Sequence, residues 1–156
     1  MIAKKFEDLI FWQKARELAK MIYTLTKNNP FSQDFGLRGQ IQRSSVSVMS
    51  NIAEGFGRGS NVEFLQFLFI AKGSVSEVQS QLYVALDSGY ITENEFRKAY
   101  NLCDEIIKIM TRFIMKIKES GKVGIKFKKE YKTFRDDFQE FYEDWQKNYK
   151  PSHSEL

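Results

Sequence analysis

Proton-transfer catalysis at neutral pH calls for a group that titrates there, and the chain has one histidine, His153, close to its C-terminus. A histidine general base or a histidine-rich metal site is therefore not expected. Ser44, Ser45, Ser47 and Ser50 cluster with no histidine to activate them, and no lysine follows them at SxxK spacing. The paired ExxH motifs of a di-iron bundle are absent. Gly55-Phe56-Gly57-Arg58-Gly59 lacks the GK[ST] ending of a phosphate-binding P-loop. Its amides could still receive an anion, or it could simply turn the chain. Cys103 falls on an apolar stripe and reads as a small core residue rather than a nucleophile. The chain is thus expected to be no enzyme and to need no cofactor or metal.

What remains is electrostatic. The chain carries 24 Lys and Arg against 20 Asp and Glu, and its pI is about 9.1. Residues 1–60 hold nine cations against five anions, whereas 61–121 hold seven against eight and 122–156 eight against seven. The excess sits on the first two helical segments, where Lys14, Arg16, Arg38, Arg43 and Arg58 are candidates for phosphate contact. Arg38 and Arg43 are five apart, about 500° around a helix, and so share a broad band rather than one face. Glu54 and Asn51 could instead hold Arg43 or Arg58 internally.

These side chains must be positioned by helices. The only prolines are Pro30 and Pro151, with long periodic segments between them. A first helix is expected from about Glu7 to Lys27, with Phe11, Ala15, Leu18, Ile22 and Leu25 as its seam and Trp12 and Ala19 widening it. Asn28-Asn29-Pro30 stops it. A second, capped by Ser32 or Asp34, carries Leu37, Ile41, Ser44 or Ser45, Val48 and Ile52, and the glycines at 55, 57 and 59 end it. Its serines and glycines weaken a lone helix but let a neighbour come close. A third begins at a capping box of Ser60 and Glu63, carries Phe64, Leu68, Ala71, Val75, Val78, Leu82 and Ala85, and ends at Gly89. A fourth begins at Thr92 and Glu95, with Ile91 and Phe96 placed as a hydrophobic staple. It carries Phe96, Ala99, Cys103, Ile106, Met110, Phe113 and Ile117 as far as Gly121. Short connections make successive helices antiparallel neighbours. The expected fold is all-α: an antiparallel up-down-up-down four-helix bundle over residues 1–121, with an additional aromatic-rich C-terminal helix.

That extra helix belongs to an extension over 122–150, followed by a disordered tail at 151–156. Phe127, Tyr131, Phe134, Phe138, Phe141 and Trp145 recur at the same helical spacing. The charges run from basic to acidic along it, against the macrodipole, so packing must hold it. It could cover the bundle, dock another protein, or offer a surface on which bases stack.

Phe6-Glu7-Asp8-Leu9-Ile10-Phe11-Trp12-Gln13-Lys14-Ala15 resembles the opening of the four-helix-bundle family encoded in intervening sequences of bacterial 23S ribosomal RNA genes. The stretch from Phe35 to Arg58 is similar too, above all Ser50-Asn51-Ile52-Ala53-Glu54-Gly55. Glu63-Phe64-Leu65-Gln66-Phe67-Leu68 and Ala71-Lys72-Gly73-Ser74 continue the likeness, which spans about Phe6 to Gly121. The resemblance implies a four-helix protomer that forms a ring, typically a pentamer. It also implies a likeness in fold to the accessory variability protein of diversity-generating retroelements, a barrel that binds nucleic acid and a reverse transcriptase. The matching positions are Arg38, Arg43, Asn51, Glu54 and Arg58. The chain departs from the family at Met49, where proline is common, and in its aromatic tail.

Two functions are consistent with these features. One is a homo-oligomeric scaffold that binds RNA or DNA through its basic surface. The other is an interaction module or accessory subunit, for example of a reverse transcriptase or polymerase, that docks through the aromatic helix. No apolar run reaches the ~20 residues of a membrane helix. The N-terminus lacks the features of a signal peptide, and a lone cysteine fits a reducing cytoplasm.

Overall fold

Apolar residues three and four apart meet on one face of a helix, and the stripes read for the first four helices lie on inner faces, with Leu37 and Phe96 half-buried. The computed structural model describes residues 3–119 and 134–148, with residues 134–137 described by their backbone alone. It contains α1 (Ile10–Leu25), α2 (Phe35–Gly57), α3 (Asn61–Asp87), α4 (Glu93–Glu119) and α5 (Phe134–Asn148), with short 3-10 turns at Phe6–Asp8 and Phe31–Gln33. Helices α1 to α4 pack in chain order around a square, and α1 closes it against α4. Phe11, Leu18 and Ile22 of α1, Ile41, Val48 and Ile52 of α2, Phe64, Leu68 and Val75 of α3, and Ile106, Met110 and Phe113 of α4 are fully buried in one core. α5 lies against α4.

Local chemistry shifts several ends from their expected places. α1 starts at Ile10 rather than near Glu7. The Asp8 carboxylate accepts the amides of Lys4 and Lys5 at 2.8 and 3.2 Å, which holds the preceding turn, and Leu9 stays extended to bury its side chain. Asp34, not Ser32, caps α2 by accepting the Leu37 amide at 2.9 Å. α2 continues through Gly55 and Gly57, and only Gly59 beyond it has a positive φ, 67°.

The Ser60 side chain makes no capping bond, so the expected box at the start of α3 does not form. The box at α4 does form. The amide and hydroxyl of Thr92 each donate to Glu95 at 2.8 Å, and the Glu95 amide donates back to the hydroxyl at 3.3 Å. α3 ends at Gly89, φ 71°, where Tyr90 N–H reaches Ala85 O and Gly89 N–H reaches Leu86 O, at 2.8 and 2.9 Å. This is a Schellman closure.

Candidate nucleic-acid interface

The serine-rich stretch lies on the face of α2 that meets α3. A Cβ at Gly55 would stand 2.6 Å from Phe67 Cβ and 2.9 Å from Phe64 Cδ2, so the helices touch there backbone to side chain. Along the same seam Ser47 and Ser74 share a hydrogen bond of 2.9 Å between their hydroxyls. Asn51 Nδ2 donates to the Ser47 carbonyl and hydroxyl at 2.8 and 3.0 Å. Ser44 donates to Glu77 at 2.9 Å and accepts from Gln81 at 3.2 Å. Ser44 and the Ser47–Asn51 pair are thus engaged in these bonds; Ser50 is exposed.

No histidine lies among the described residues to activate these serines, and the one side-chain carboxylate that accepts from them, Glu77, is exposed. Cys103 is buried, and burial first, then the charge of Asp104, pushes its thiol up to about 12. It stays protonated, hence unreactive, at neutral pH. Among the described residues no three of His, Cys, Asp and Glu are grouped to hold a metal.

The five candidate cations do not converge. Arg38 and Arg58 are about 30 Å apart along α2 at 1.5 Å per residue, and about 200° apart around it. Arg38 Nη1 donates to the Ser32 carbonyl at 2.8 Å and its guanidinium lies 4.7 Å from the Phe35 ring centre. Arg58 pairs with Glu54 at 2.6 Å and lies over Phe67 at 5.5 Å. The Glu54 hydrogen bond, then its charge, raises the Arg58 pKa. Lys14 bridges to Glu105 of α4 at 3.2 Å and to Glu17 at 3.7 Å. Arg16 and Arg43 are exposed, and no hydrogen bond or ion pair joins their side chains to another described residue.

The exposed face of α1 adds residues that the sequence reading missed. Arg16, Lys20 and Tyr23 follow at intervals of four and three, which keeps them within an arc of about 60°, and Lys27 follows in the turn just past the helix. All four are exposed, and neither lysine side chain has an ion pair among the described residues. The spacing could have disclosed them, but the five candidates were picked as single residues rather than as a row. Glu17, the one carboxylate of α1, points about 100° away from Arg16 and toward Lys14. α2 has no carboxylate before Glu54. The outer surface of α1 and the adjoining side of α2 therefore form a cationic face, with Arg43 along the crest of α2.

α5 is held by its aromatic side. Phe138 meets Phe11 and Phe113 with ring centres 6.0 and 5.6 Å apart, and Phe141 meets Phe113 at 5.7 Å. Lys116 and Glu140 add an ion pair at 3.6 Å. Tyr142 and Trp145 stack on each other at 6.2 Å and stay half-buried. Phe127 and Tyr131 lie outside the described residues, and of Phe134 only the helical backbone is described.

A family model described as "23S rRNA-intervening sequence protein" matches residues 7–112, which takes in α1 to α3 and most of α4 but not α5. The fold is similar to the crystal structure, at 1.70 Å, of a protein of unknown function from the S23 ribosomal protein family of Bacteroides thetaiotaomicron VPI-5482. The two are 28% identical with a TM-score of 0.62, over 67% of this chain and 98% of that one. No curated protein matches the chain in sequence.

Proposed function

The chain belongs to the 23S rRNA-intervening sequence protein family, and on that premise we propose that it is a non-enzymatic, homo-oligomeric scaffold that binds RNA or DNA through the cationic face of α1 and α2. The observation that carries this reading is the row of exposed Arg16, Lys20 and Lys27, whose side chains have no ion pair among the described residues, with Arg43 on the neighbouring helix. Lys14, Arg38 and Arg58 do not converge on this row, and each would add a phosphate contact of its own only by giving up its internal partner. We assign residues 1–121 to the scaffold and α5 to an appendage.

Self-association is assigned to the outer side of α3. Ile70 and Val84 are 52% and 49% exposed there, and nothing lies within 4 Å of a Cβ at Gly73 between them. Assembly, a ring of five by the family resemblance, multiplies the cationic face. Linked weak contacts then act with a high effective concentration.

The test is binding of structured RNA and duplex DNA across a salt series, with light scattering on the same samples. Affinity should fall by roughly one log unit per log unit of salt for each phosphate neutralised. Arg16→Gln/Lys20→Gln/Lys27→Gln should flatten that slope while the oligomer stays intact. No binding at low salt overturns the proposal. A second reading, docking of a protein such as a reverse transcriptase through α5, is favoured by the half-exposed Tyr142 and Trp145. It requires partner binding to be lost on removal of α5.

A further inference from the structure

We infer that this face takes single-stranded rather than duplex nucleic acid, with phosphates along Arg16, Lys20 and Lys27 and an unpaired base on Tyr23. The inference rests on the nucleic-acid reading above and specifies the form of the ligand. Tyr23 stands in the middle of the cationic row and is 42% exposed. Across the groove, the hydrogen bond from Gln42 Nε2 to Thr26 Oγ1, 2.7 Å, sets the register of α1 against α2. Counting along these antiparallel helices pairs Tyr23 with Ser45, so Val46, itself 38% exposed, lies about one residue from the level of Tyr23 on the neighbouring helix. An aromatic ring and a branched apolar side chain thus make a small exposed apolar island on the helix pair that carries Arg16, Lys20, Lys27 and Arg43.

A paired base keeps its faces inside the duplex stack and offers such an island nothing. An unpaired base can lie on the ring while its backbone tracks the cations, as on other single-strand binding surfaces. Two neutral polar side chains on the outer side of α1 are tied back, which leaves the cations and the ring of Tyr23 as the groups on offer. Gln13 Nε2 donates to the Glu7 carbonyl at 2.8 Å, and Thr24 Oγ1 donates to the Lys20 carbonyl at 2.9 Å.

The test uses the full chain and fluorescence anisotropy with three probes: an unstructured single-stranded oligonucleotide, a duplex of the same sequence, and vesicles rich in anionic phospholipid. The single strand should bind more tightly than the duplex, with a log–log salt slope of about −3 if four cations each neutralise one phosphate at ~0.7 per contact. Tyr23→Ala should weaken single-strand binding roughly tenfold while Tyr23→Phe keeps it, because the ring and not the hydroxyl carries the stacking. Tyr23 is exposed, so both variants should keep the wild-type helix signal. Equal or tighter duplex binding, or indifference to Tyr23→Ala, overturns this inference and leaves the charge-based scaffold standing. Vesicle binding without binding of either nucleic acid overturns both.

Discussion

Gly55 and Gly57 stand two residues apart on α2, and the same change at each should have opposite effects. Alanine improves on glycine within a helix by up to about 1 kcal/mol at either site. At Gly57 the new methyl meets nothing within 4 Å, so Gly57→Ala should stabilise the protein by about 0.5–1 kcal/mol. At Gly55 it would stand 2.6 Å from Phe67 Cβ, where carbon atoms prefer roughly 3.5–4.0 Å. A Cβ is fixed to its own backbone, so no rotamer change relieves the overlap, and α2 and α3 must part by about an ångström. Phe64, whose Cδ2 would lie at 2.9 Å, is fully buried and has little room to yield. Forcing a methyl into a packed site costs typically about 1–3 kcal/mol. The propensity gain is common to both variants, so the difference between them isolates this overlap. At a urea m-value of about 2 kcal/mol/M, the two midpoints should stand roughly 1 M apart, with Gly55→Ala the lower. Protein concentration must be equal in the two titrations, because assembly contributes to apparent stability. Coincident midpoints above wild type would refute the close approach of α2 and α3.

Thr92→Ala should cost about 1 kcal/mol, the usual value of a helix cap, whereas Ser60→Ala should be near neutral in the same urea titrations because Ser60 makes no capping bond. The amide of Thr92 first, then its hydroxyl, holds the Glu95 carboxyl below its usual value. That stability is present above the unfolded carboxyl's pKa and is lost as pH falls through the folded one. Thr92→Ala should therefore also soften the acid side of the stability profile. The Cys103 thiol, raised to about 12, keeps its proton where an unfolded thiol, at about 8.5, has lost it. Its contribution is complete below the unfolded value and is lost as pH rises through that window, so Cys103→Ala should flatten the alkaline limb of a urea-stability series. A thiol reagent at pH 8 should label the native protein only on unfolding; rapid native labelling would refute the burial. Phe138 is 2% exposed among Phe11, Phe113 and Phe141, and truncating such a ring costs about 3–5 kcal/mol. Phe138→Ala should undock α5 and strip its amide-exchange protection while α3 keeps its own; joint loss would make α5 integral to the bundle.

The core was legible residue by residue. Every position of the expected α3 stripe, from Phe64 to Ala85, is buried, as are Phe11, Ala15, Leu18, Ile22 and Leu25 of α1. Boundaries were less legible, because they turn on contacts a few residues away in space. Asp8 holds a turn before α1, and Ser60 matches a cap pattern whose bond is not made. The cationic face was half legible. Arg16 and Arg43 stood among the candidates, but Lys20, Tyr23 and Lys27 did not, although their spacing places them in one row.

Periodicity and punctuation by themselves determined that the chain is helical, which residues face inward, and that the second helix is built for a close neighbour. These are properties of the backbone's 3.6-residue repeat and of side-chain size, and need no partner to be known. The tertiary structure decided which polar groups are engaged across helices, and which of the local pairings open to the others is made. Gly55 looked like a helix end and is a contact point, because α3 arrives against it. Arg38, Arg58 and Lys14 looked like an anion-binding set and have acceptors of their own at 2.8, 2.6 and 3.2 Å. Whether a cation is free depends on what lies within a few ångströms of it. For Lys14 that neighbour is Glu105, far along the chain, and only the packing of α1 against α4 brings it there.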